Sequence, residues 1–229
     1  MSVKPDTTDM VLVHRVFRRE LRLAPRLVRH VGAGDTAQAG RVAAHVAGLL
    51  DALHHHHSGE DELVWPKLLQ RAPLDDGLVA RMQAQHETVA GLLEQVRQLL
   101  APWQSSASPL AAQRLAETSE ALSVALDEHL AEEERRVLPL VEEHLSVTEW
   151  DQVGERGFAD TPKERLLFLL GAVLEEASPA EQARFLPRVP VAGRVAFRLI
   201  GRRRYRHQVA TLRAGLQRPA AATAATAQR

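Results

Sequence analysis

Eleven histidines in 229 residues, with no cysteine, leave imidazole and carboxylate as the donors with which this chain could hold a transition metal. Six such groups stand out by spacing. His56 and Glu60 form one His-x3-Glu pair, and His129 and Glu133 form a second. On a helix, residues four apart share a face about 6 Å from one another, which suits two ligands of one ion or of neighbouring ions. His14 and His86 are single histidines on otherwise apolar seams. Burying an imidazole or carboxylate without a partner is costly, so a polar residue at a core position on each of four helices needs a reason, and a metal supplies one. The absence of cysteine also excludes disulfides, thiolate metal sites, iron–sulfur clusters and cysteine nucleophiles.

The elements that carry these groups follow from apolar periodicity. Met10, His14, Phe17, Leu21, Ala24 and Val28 step by three and four, the seam of a bundle helix over about Asp9 to His30, with Pro25 expected to bend it. Gly32-Ala33-Gly34-Asp35 marks a loop. Val42, Val46, Leu49, Leu53, His56 and Glu60 line a second helix, with a bend expected at Trp65-Pro66 and an end at Ala72 to Gly77. Val79, Met82, His86, Val89, Leu93, Val96 and Leu100 line a third. Leu115, Leu122, Leu126, His129, Glu133 and Val137 line a fourth, which reaches about Leu145. No alternating strand pattern appears. The fold predicted is all-α, an up-down-up-down four-helix bundle over residues 9–146.

Register places the six groups together. In an antiparallel hairpin, residues equidistant from the turn lie at one height. The midpoint of His14 and His56 falls at Asp35, that of His86 and His129 between Ala107 and Ser108, and that of Glu60 and His86 at Pro73, each inside a predicted loop. The layer lies roughly 30 Å from the first loop at 1.5 Å per residue. An internal repeat agrees: His56 to Pro66 and His129 to Pro139 share the frame His-x3-Glu-acid-x2-Val-x-Pro. Two similar hairpins related by a pseudo-twofold suit a site for two metals. Four imidazoles with two carboxylates favour iron or manganese over magnesium or calcium, and two glutamates can bridge ions roughly 3.5–4 Å apart.

At these residues the sequence resembles the hemerythrin family, specifically the hemerythrin-like HHE cation-binding proteins of the bacterial H…HxxxE…H…HxxxE subgroup. The likeness covers about residues 9–146. It implies a bundle holding two non-haem iron ions, with His14, His56, His86 and His129 as terminal ligands and Glu60 and Glu133 as bridges. Zinc or manganese in the same donor set is an alternative, because ligand chemistry overlaps. Oxygen-carrying relatives have a second histidine four residues after the one on helix three; here that position is Ala90. The missing imidazole is expected to leave an iron position open to water, dioxygen, hydrogen peroxide or nitric oxide. The resemblance leans towards peroxide and nitric-oxide chemistry, with electrons from an external donor. The alternative is an oxygen- or iron-sensing or oxygen-binding regulatory module without turnover, whose Arg-rich C-terminal helix, with Arg202-Arg203-Arg204-Tyr205-Arg206, engages a partner.

The remaining histidines receive other assignments. His57 lies about 100° round the helix from the seam and reads as flanking. His54 and His55 read as solvated or neighbouring groups, and His30, His45, His144 and His207 as having no role at the metals. His86-Glu87-Thr88-Val89-Ala90 begins like a zinc-protease His-Glu-x-x-His but lacks the second histidine.

Beyond residue 146 the composition changes. Thr161-Pro162-Lys163-Glu164 and Ser178-Pro179-Ala180-Glu181 predict capping boxes and helix starts near 162 and 179. A basic helix is expected from about Val191 to Leu216, so residues 147–218 read as a helical extension and 219–229 as a disordered tail. All 29 acidic residues lie at or before Glu181, while ten of the 29 basic ones are arginines from Arg188 onward. The last 42 residues therefore carry +10 and the rest −10. Docking of the basic helix near the acidic body is the favoured reading of this split, over a nucleic-acid or membrane patch, so neither is an expected partner. No apolar run reaches the about 18 residues of a membrane span, and the polar N-terminus lacks a signal-peptide core; a cytoplasmic location is the default expectation.

Overall fold

The computed structural model describes residues 4–72 and 76–217 and is helical throughout, with no strand among those residues. Four long helices, α1 (Thr8–Arg29), α2 (Thr36–Leu63), α4 (Asp76–Ser106) and α5 (Pro109–Glu132), form the bundle. A short α3 (Trp65–Arg71) lies between α2 and α4. Each long helix packs on its two neighbours in a closed ring, α1 on α2 and α5, and α4 on α2 and α5. The tight turns are where the register arguments put them. Asp35 caps α2 by accepting from the Gln38 amide, and Ser108 caps α5 by accepting from the Ala111 amide, with Pro109 in the first turn. The loop at Pro73 lies outside the described residues, as does the tail 219–229.

Pro25 sits inside α1, which runs on to Arg29. The two prolines of the repeat act differently. Proline has no amide hydrogen to donate to the carbonyl four residues before it. Near Pro66, α2 ends at Leu63 and α3 begins at Trp65; near Pro139, the chain widens into a π turn (Glu133–Val137) before α6 (Leu138–His144). The expected fourth helix is thus one run of helix with a relaxed turn that begins at Glu133.

The apolar core is split in two. The larger cluster fills the loop end and middle of the bundle with Phe17, Leu21, Leu50, Leu53, Trp103, Leu115, Leu122 and Leu126. A smaller cluster, including Met10, Val64, Leu68, Met82, Val137 and Val141, plugs the other end together with Leu145 and Trp150 of the following segment. Both consist of fully or nearly fully buried side chains.

The extension comprises α7 (Val147–Asp160), α8 (Lys163–Glu176), α9 (Pro179–Phe185), α10 (Val191–Ala196), a π turn (Phe197–Gly201) and α11 (Arg202–Arg213). The Ser178–Glu181 capping box forms as predicted. The Thr161–Glu164 box does not: Thr161 ends α7, its hydroxyl donates to the Gly157 carbonyl, and Pro162 takes the cap position of α8. A box that sequence reading missed starts α7, between Ser146 and Glu149. The extension docks where glycine leaves room. The Arg165 guanidinium lies over Gly48 of α2 and donates to the Ala44 carbonyl at 2.9 Å, in space a Cβ would fill. The Tyr205 ring covers Gly171 in the same way and joins Leu12 and Val16 of α1 in a third cluster.

Candidate metal centre

The layer between the two apolar clusters is polar. Each bundle helix contributes to it one turn from an apolar plug residue: His14 after Met10, Glu60 before Val64, His86 after Met82, and Glu133 before Val137. All six groups expected from the sequence are brought together there, and a seventh, His57, joins them. His57, Glu60, His86 and His129 place one donor atom each within 4.8 Å of one another; so do His14, His56, Glu60 and Glu133. Glu60 belongs to both sets.

The two carboxylates lie between the sets. Glu60 Oε1 is 3.1 Å from His56 Nε2, and its Oε2 is 4.0 Å from His86 Nε2. Glu133 Oε2 is 3.5 Å from His14 Nε2 and 3.8 Å from His129 Nε2. His14 and His56 face each other nitrogen to nitrogen at 3.2 Å. Two bonds of about 2.1 Å at a right angle to one ion span about that distance.

His57 corrects the sequence reading. Its ring stacks on His86 with centroids 4.6 Å apart and meets His129 edge-on at 5.0 Å. His56, its neighbour, turns the other way, against His14 and Phe17 of α1. Ala90, the position expected to leave a gap, is exposed. His57 of α2 thus supplies a third imidazole beside His86 and His129. His54 is exposed, His55 lines a groove beside the extension, and His45 pairs with Glu20, all away from the two donor sets.

The layer is unsatisfied by protein alone. His57 Nε2, Glu60 Oε1, His86 Nε2, both ring nitrogens of His129 and Glu133 Oε2 are buried without a hydrogen-bond partner among the described residues. Such orphans are rare in a native core. Burial, reinforced by the other imidazoles, pushes His56 and His57 far below the usual histidine range and His129 to about 3. Burial likewise lowers His86, partly offset by Asp61. It raises Glu60 well above the ordinary carboxylate range, with Glu133 adding to the effect, and it raises Glu133 too. Neutral imidazoles with lone pairs turned inward are the form in which histidine binds metal.

Two of the outward ring nitrogens, those of His14 and His86, have carboxylate partners. His14 Nδ1–H donates to Glu134 Oε1 at 2.9 Å, and Arg18 holds the same oxygen at 2.6 Å. His86 Nδ1 lies 3.4 Å from Asp61 Oδ1. Asp61 and Glu134 are the acids that follow each glutamate in the internal repeat. Their position turns the Nε2 lone pair of each ring towards the interior.

A seven-group layer of this chemistry fits a cation, and comparison with known proteins agrees. The description hemerythrin HHE cation binding domain matches residues 6–141. Neither a curated protein nor a solved structure matches the chain. With the family match covering more than half of the sequence, and the donor sets lying inside it, this chain belongs to the hemerythrin HHE cation-binding family.

Proposed function

We propose that the chain holds two iron ions in this layer and reacts there with a small oxidant: hydrogen peroxide, nitric oxide or dioxygen. The observation that carries the reading is the pair of donor sets sharing Glu60, with orphaned donor atoms in both. His57, His86 and His129 would hold one ion and His14 and His56 the other, with Glu60 and Glu133 spanning both. Bound iron supplies one-electron redox chemistry towards such ligands. The protein supplies the rest. Phe17, Leu53, Met82 and Leu126 keep bulk water from the layer. Glu134 keeps the proton of His14 on Nδ1, so Nε2 remains a donor. The split is unequal in kind: three imidazoles with Glu60 in one set, two imidazoles with both carboxylates in the other. With no cysteine in the chain, electrons come from a separate donor.

The test is metal analysis, spectroscopy and peroxide turnover on freshly isolated protein. Two irons per chain, near-ultraviolet charge-transfer bands in the ferric form, and consumption of hydrogen peroxide are expected. One zinc per chain without those bands would sink the two-iron reading. Reversible oxygen binding without peroxide or nitric-oxide chemistry would make the protein a sensor or carrier. His57→Ala should lower iron content or change the bands, whereas Ala90→His, at an exposed position, should do neither.

A further inference from the structure

The last described helical run has one docked face and one bare face. It comprises α10, the π turn and α11, residues 191–213. Inward, Gly201 lies against Phe197 and Leu167, Tyr205 lies on Gly171, and Leu212 reaches the main core. Outward, Val191, Val195, Leu199 and Ile200 are 65%, 51%, 74% and 60% exposed. The first three are spaced four apart, so they line one stripe. Arg198, Arg202, Arg203 and Arg206 accompany and continue this face; all four are exposed, and among the described residues none makes an ion pair. No acidic residue follows Glu181.

We propose that this face lies on an anionic lipid surface, with the aliphatic side chains entering the headgroup boundary and the arginines pairing with lipid phosphates. Clustered exposed aliphatics mark an interaction site, not ordinary surface. Their chemistry selects among anionic partners. Nucleic-acid bases are gripped by aromatic platforms, and this stripe has none. Aliphatics beside long arginines match an interfacial helix, because the arginine stems can lie along apolar surface while the guanidinium reaches outward. The docked inner face prevents the helix from turning its apolar stripe back into the protein. No described helix is long and apolar enough to cross a membrane, so the association is with the surface only.

The experiment is co-sedimentation of the full, metal-loaded chain with vesicles of phosphatidylglycerol and phosphatidylcholine in equal parts, and with phosphatidylcholine alone. Binding is expected to the anionic vesicles only and to weaken as salt is raised. Leu199→Ser with Ile200→Ser should weaken it by at least about tenfold, because two aliphatic chains no longer leave water. Arg202→Gln with Arg203→Gln and Arg206→Gln should weaken it comparably. All these positions are exposed, so circular dichroism and metal content should match the parent and separate lost binding from misfolding. No sedimentation with anionic vesicles, or equal sedimentation with both, would overturn the proposal. So would a dimer that dissociates on the Leu199→Ser and Ile200→Ser change, or duplex DNA binding that survives it without vesicle binding.

Discussion

Two buried polar clusters flank α1, one inside the bundle and one beneath the extension, and they solve the same problem in opposite ways. In the outer cluster every charge has a protein partner. Glu20 accepts from His45 at 3.0 Å, Arg19 at 2.8 Å and Arg213 at 3.0 Å. Arg19 and Arg213 also reach Glu175, which accepts from the Tyr205 hydroxyl. Burial alone would raise Glu20, but His45 and the two arginines outweigh it and hold the carboxyl at about 2. In the inner cluster the same residue types, histidine and glutamate, are left with orphaned atoms and no arginine among the donors. Arginine is a fixed cation that completes a carboxylate permanently. Its exclusion from the inner layer leaves the positive charge to be supplied by something that binds. Composition alone does not distinguish a structural cluster from a metal site; completeness does.

Removing metal tests the contrast most strongly. The inner layer should lose its stabiliser, whereas the outer one needs none. At a thousandfold excess over the dissociation constant, each ion adds about 4 kcal/mol to the native state. The apo protein should therefore melt well below the holo form, by calorimetry, and equal melting would mean the inner layer is satisfied without an ion. Next in size is Glu20→Ala, which leaves three cationic or donor groups facing a void. It should cost about 3–5 kcal/mol in denaturant unfolding, with iron content unchanged. Loss of iron in that variant would show that the clusters are not independent.

Acid gives a smaller, signed effect. Glu20 is depressed in the folded state, so the stability it contributes is present above about pH 4.5 and is lost as pH falls towards about 2. Over that window it should amount to ~3 kcal/mol. Hydrogen exchange on α8 and α11 should accelerate across it, and Glu20→Gln should flatten the response. The smallest effect is expected from the orienting acids. Glu134→Gln should weaken metal binding about 10–100-fold, measured by chelator competition. Asp61→Asn should do less, because Asp61 is exposed and stands farther from its ring. Equal effects would mean that Arg18 adds nothing to the hold on His14.

Much of this was legible beforehand, for identifiable reasons. Helix seams and turn residues are local, and the midpoints at Asp35 and Ala107–Ser108 needed only counting, so the layer of six groups followed from the sequence. His57 did not. A helix facing a narrow seam has one inward direction, but an interior wide enough for two donor sets receives His56 on the α1 side and His57 on the α4 and α5 side. The signal that could have found it was the His56-His57 doublet itself, set against the missing imidazole at Ala90. Thr161 failed as a cap because its hydroxyl was already taken by the preceding turn, at Gly157. The Glu20 cluster was invisible because its members lie on α1, α2, α8 and α11, and no local pattern relates them.

The split core also bears on how the protein comes to be loaded. An ion cannot reach the donors along the bundle axis, since apolar side chains close the layer above and below. The lower plug is the smaller; its α3 is a short helix separated from α2 at Val64, and its α6 continues α5 through the π turn. In the proposed metal-bound form, entry along the axis would therefore wait on opening of this smaller plug.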